Sequence, residues 1–149
     1  MSKRGLGQLC CEVFGGEVAV LRCGTHTGTV AAARNWDGDM EIVVVLPSRP
    51  DSCERQAHDT GLRSFVLNSR EASKNDESLK KELMKQKLET FIGVTYKPGT
   101  ELRSHHSSAV LGKQLDAYKW FDESHVVQAL EKTQPRTPLA QGETYPFEL

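Results

Sequence analysis

The chain has 149 residues, 38% of them apolar, and its 12 glycines bring the total to about 46%, the balance of an ordinary globular protein. Nineteen Lys and Arg against twenty Asp and Glu leave a formal charge of −1. That balance lacks the basic excess of a phosphate-tracking surface and disfavours nucleic-acid binding, while the length argues for one domain.

In chain order, the first third reads as strands punctuated by glycine. Residues 8–14 and 17–23 flank Gly15-Gly16, a pair suited to the positive φ angles of a two-residue hairpin. Residues 29–34 and 41–46 flank Trp36-Asp37-Gly38-Asp39, and Asp-Gly between apolar runs is the strongest short-range hairpin signal. The run Ile42-Val43-Val44-Val45-Leu46 does not alternate, so it is expected to be an inner strand covered on both faces. Residues 47–61 turn polar and carry Pro47, Pro50, Asp51, Ser52 and Asp59, which predicts a long surface loop. Residues 63–67 form a short candidate strand.

Between Asn75 and Ile92 the apolar residues Leu79, Leu83, Met84, Leu88, Phe91 and Ile92 share one stripe, predicting an amphipathic helix capped by Asn75 or Asp76 and ended at Gly93. Val94-Thr95-Tyr96 reads as a strand before a Pro98-Gly99 turn. Ala109, Leu111, Leu115, Tyr118 and Phe121 recur at helical spacing, and a last short helix follows Asp122. The expected class is therefore α+β: an antiparallel four-strand meander, an amphipathic helix, a short strand and C-terminal helices, in one domain over residues 1–132. Residues 133–149 hold three of the six prolines and no period, and are expected to form an extended tail.

The chain contains no phosphate-binding, dinucleotide-binding, nucleophile-elbow or zinc-helix motif, so no cofactor and no metal site is expected. His105 and His106 are adjacent and diverge on any regular backbone, which argues against a metal role with His125. The four cysteines, at 10, 11, 23 and 53, are read as reduced thiols. No signal-like apolar stretch follows Met1, and the longest apolar run is far below the ~18 residues that span a bilayer. The expectation is a cytoplasmic or other reducing intracellular compartment with no membrane span.

The leading expectation is a non-catalytic interaction or structural subunit of a larger assembly, docking onto protein partners through its tail. Pro135 and Pro138 stand in a K-x-x-P-x-x-P string that favours a polyproline II helix. Tyr145, Phe147 and Leu149 supply apolar anchors, and Phe147-Glu148-Leu149 has the form of a carboxyl-terminal strand-addition motif. Trp120 falls off the helical stripe of Tyr118 and Phe121 and is expected to be an exposed contact residue. Two alternatives remain. The loop at 47–61, with Arg49 and Arg55, would serve a small-ligand or RNA-binding module. A cysteine-dependent hydrolase or acyltransferase would use Cys23 as thiolate and His26 as base. Arg34-Asn35-Trp36-Asp37 resembles the R-N-x-D stretch of cysteine N-terminal-nucleophile amide hydrolases. That resemblance implies assisting roles for Arg34 and Asp37, with Cys23 freed by cleavage.

Overall fold

The structure is a computed structural model and describes residues 6–127. Helix α1 (Leu6–Phe14) leads through a 3-10 turn at Gly15–Glu17 into the long strand β1 (Leu21–Ala33) and then β2 (Met40–Val45). Helix α2 (Cys53–Asp59), strand β3 (Ser64–Asn68) and helices α3 (Ser69–Asn75) and α4 (Glu77–Leu83) follow. The described residues close with β4 (Lys87–Thr90), α5 (Glu101–Ser104), β5 (His106–Ala109), α6 (Leu111–Gln114) and β6 (Ala117–Ser124).

The α+β class holds, but the sheet is mixed and not an antiparallel meander. Its order is β2-β1-β6-β3, with β1 parallel to β6 and antiparallel to β2, and β6 antiparallel to β3; β4 and β5 form a separate antiparallel pair. The last strand among the described residues thus inserts beside the first, which no local pattern specifies.

The hairpin around Asp37-Gly38 forms as its turn chemistry predicts. Ala33 pairs with Met40, Gly38 N–H donates to Asn35 O at 3.1 Å, and Asp37 takes φ 61°. The hairpin expected at Gly15-Gly16 does not form. Leu6, Leu9 and Val13 lie three and four residues apart and the segment is helical, ended by Gly15 at φ 55°, the left-handed conformation a helix C-terminus favours. β2 is an edge strand, not an inner one: Val43 and Val45 are buried, whereas Ile42 and Val44 are exposed. All four residues are apolar, so only the tertiary partner decides which face is covered.

The expected loop at 47–61 contains α2, whose N-cap Ser52 accepts from Arg55 N–H at 3.2 Å. The expected helix at 75–92 starts as predicted, with Asp76 accepting from Ser78 and Leu79 N–H, but stops at Leu83. Leu88 and its neighbours then pair with β5. Thr95 makes only a single bridge to Ala33, and Pro98 opens a 3-10 turn. The C-terminal helices are replaced largely by β5 and β6. On β6 the burial alternates, so Tyr118 and Trp120 point inward and Phe121 is partly exposed. Trp120 is consequently not an exposed contact; it is fully buried against Phe65 and Tyr118.

Two clusters form the core on one face of the sheet: Ala32, Val43, Val45 and Tyr96 at the β1–β2 end, and Ala57, Leu115, Tyr118 and Trp120 beneath α2. The domain limit at 132 and the tail, with Pro135, Pro138, Tyr145, Phe147 and Leu149, lie outside the described residues. Among the described residues no helix is long and apolar enough to cross a membrane.

Candidate active site

Four segments far apart in sequence converge at one end of α2. His26 comes from β1, Ser48 follows β2, His58 lies in the last turn of α2, and Asp122 lies on β6 next to His26's level in the parallel register. Ser48 Oγ lies 2.6 Å from His26 Nδ1, and Ser48 N–H donates to that nitrogen at 3.3 Å as well as to His26 O at 3.0 Å. The backbone donor assigns the lone pair to Nδ1 and the ring proton to Nε2. The His26 ring stacks on that of His58, with centroids 3.7 Å apart and planes 9° from parallel. His58 Nδ1 in turn meets Asp122 Oδ1 at 2.6 Å, which orients the second imidazole.

Burial, reinforced by His58, holds the His26 pKa below its ordinary value, while Asp122 acts in the opposite sense. His26 is therefore a neutral imidazole near pH 7, in the protonation state of a base.

Ser48 stands at the wall of a cavity of about 190 Å³. Val30, Val45, Leu46 and Ile92 give it an apolar lining, and Glu54, Thr90, Glu101 and His106 add polar groups. These polar groups are anchored: Thr90 N–H donates to Glu54 Oε1 at 2.9 Å, and the Tyr96 hydroxyl donates to Glu101 Oε1 at 2.5 Å. His106 contacts Thr90 Oγ1 at 3.3 Å and Glu101 O at 3.2 Å.

Deeper in the core, Glu89 forms an ion pair with Arg22. Burial nevertheless pushes Glu89 up to about 7, Arg22 opposing the shift and Glu54 adding to it. Burial likewise raises Glu54 and drives the Cys53 thiol up to about 12, which makes Cys53 inert near neutrality.

Of the residues singled out from sequence, His26 lies in the cluster. Cys23 is exposed on β1 and shares its side of the sheet with its register partner Lys119. Three residues from His26 on a strand, its side chain alternates away from the imidazole, although Cys23 also lines the cavity that Ser48 borders. Arg34 and Asp37 sit at the far end of β1, where Arg34 pairs with Glu41 at 2.9 Å. Eleven residues of extended chain put Arg34 on the order of 30 Å from Cys23. His105 is buried, with Lys97 N–H and Phe91 O on its two ring nitrogens, at 3.1 Å each. Among the described residues no group of three or more His, Cys, Asp and Glu could hold a metal ion. Ser48, His58 and Asp122 carried no sequence signal, because their spacing to His26 reflects topology and not a local motif.

A serine, two imidazoles and a carboxylate beside an apolar cavity are the residue types of hydrolytic chemistry. The chain belongs to the erythromycin esterase family, which it matches over residues 1–124. Among solved structures it is similar to a protein from Bacillus cereus, with a TM-score of 0.65 at 18% identity over 80% of this chain and 28% of that one. It is also similar to a succinoglycan biosynthesis protein, with a TM-score of 0.63 at 15% identity over 80% of this chain and 27% of that one. The chain thus spans little more than a quarter of the length of either. Membership of an esterase family overturns the expectation of a non-catalytic, protein-binding subunit of a macromolecular complex. The missing short motifs misled here, since a site drawn from four separate segments leaves no spaced motif to find.

Proposed function

We propose that this chain carries ester-hydrolase chemistry, with Ser48 as nucleophile and His26 as its base. The observation that carries the reading is the 2.6 Å approach of Ser48 Oγ to a neutral His26 Nδ1 at the wall of an apolar cavity, and family membership supports it.

In this scheme Oγ attacks the ester carbonyl carbon as His26 Nδ1 takes the hydroxyl proton. The ester C–O bond then breaks, and the departing alkoxide takes that proton from His26. A water molecule attacks the acyl-serine, His26 accepts its proton, and the acid leaves as Ser48 regains its hydrogen. Asp122 favours the charged form of His26 that each step creates, and it holds the stacked His58 in place.

Hydrolysis of p-nitrophenyl acetate by the purified chain tests the proposal. Ser48→Ala and His26→Gln are expected to lower kcat/KM by about 100-fold or more, and a fluorophosphonate should label Ser48 in the unaltered chain. Undiminished hydrolysis in Ser48→Ala, or labelling elsewhere, would overturn it.

A further inference from the structure

We propose that the groove between α2, β3 and α4 is a binding site for a monocarboxylate with an apolar body, of the kind a medium-chain fatty acid presents, and that its carboxylate pairs with Lys87. The inference goes beyond the esterase reading and does not rest on it, since neither Ser48 nor His26 belongs to this groove.

Two observations carry it. The first is an apolar trough left open beside the core. Ala57 of α2, Phe65 and Leu67 of β3, and Leu79 and Leu83 of α4 line it. Phe65 and Leu67 pack against the buried cluster of Ala57, Leu115, Tyr118 and Trp120 but are themselves only half-buried, so an apolar body laid over them removes further surface from water. The trough opens to solvent at its rim and sets no upper length for that body. The second observation is the cation at its edge. Lys87 shares the inward face of β4 with the buried Glu89, two residues on, and its side chain is only 21% exposed. Among the described residues its ammonium has one ion-pair partner, Glu82 Oε2 at 3.8 Å, which is too far for a hydrogen bond. That carboxylate already accepts from the Lys85 ammonium and the Gln56 amide. Burial keeps Cys53 a neutral thiol, so the lining carries two ammonium groups against one carboxylate. A largely buried ammonium without a hydrogen bond is costly, and a carboxylate in the groove supplies both the bond and the balancing charge.

Octanoate and octanamide, which differ in charge and hardly in shape, test the site when each is titrated into the full chain and binding is followed by protein-observed NMR. Octanoate should bind roughly tenfold or more tightly than octanamide and should shift the signals of Leu67, Leu79 and Leu83. This comparison needs no variant to fold. Lys87→Met keeps the apolar stem and removes the charge, so it should bring octanoate down to the affinity of octanamide and leave octanamide unchanged. Absent octanoate binding, equal affinity for the two ligands in the unaltered chain, an undiminished preference in Lys87→Met, or shifts confined to residues outside the groove overturns the assignment. None of these readouts involves hydrolysis, so failure of the site leaves the Ser48 reading standing, and loss of that reading leaves the site.

Discussion

His26 and His58 stack face to face at 3.7 Å, yet each ring is held by a different partner, Ser48 for one and Asp122 for the other. The contact makes His58, after burial, a cause of the lowered His26 pKa.

The pH dependence of ester hydrolysis should follow from this contact. His26 works as a base only when neutral, and burial first, His58 second, lower its pKa from about 6.5. The rate should rise with pH through a midpoint below 6.5 and stay level above it. His58→Gln removes the second cause, so the midpoint should move upward. A pH–rate profile that keeps its midpoint in His58→Gln would show that the two rings are uncoupled.

A second pH effect concerns stability and a different group. Glu89 titrates near 7 in the folded chain against about 4.5 unfolded. Between those values the folded state binds more protons at Glu89, so the contribution of this group to stability is fully present below pH 4.5 and is lost as pH rises towards 7. Glu89→Gln should flatten that decline, with a gain on the order of a few kcal/mol above pH 7, read from urea denaturation across the range. An unchanged slope would show that Arg22 keeps Glu89 ionised throughout.

At Gly28, β1 passes close against the backbone of β6. Its φ is +124°, and a Cβ there would lie 2.1 Å from Ser124 O and 2.5 Å from Ser124 N, both backbone atoms. Gly28→Ala should cost roughly 3 kcal/mol or more, because strain and collision add. Equilibrium unfolding measures it, and a loss below about 1 kcal/mol would mean that the parallel pair can part there without penalty.

Trp120 offers the sharpest contrast between an exposed contact and a core residue. Fully buried between Phe65 and Tyr118, it should lose about 3–5 kcal/mol on replacement by alanine. An exposed side chain would change stability by about 0.5 kcal/mol at most, so thermal or chemical unfolding of Trp120→Ala separates the two.

Legibility in the sequence tracked locality. The hairpin around Asp37 was readable because the positive φ and the Asn35–Gly38 hydrogen bond are satisfied within four residues. The start of α4 was readable because Asp76 caps its own neighbours. Where a segment satisfied two periods at once, sequence could not arbitrate. Ala109, Leu111, Leu115, Tyr118 and Phe121 fit a helical stripe, yet Tyr118 and Trp120 also fit an alternating strand, and pairing of β6 with β1 and β3 decided for the strand.

By itself the sequence determined the α+β class, the hairpin turn, the helix cap at Asp76 and the residue types available for chemistry, all properties fixed by neighbours within a few positions. The tertiary structure alone decided the parallel insertion of β6 beside β1, and with it the meeting of His26, Ser48, His58 and Asp122. Closing loops of 22 and 64 residues between those partners leaves no trace in spacing, because such contacts are selected by burial and backbone pairing across the sheet.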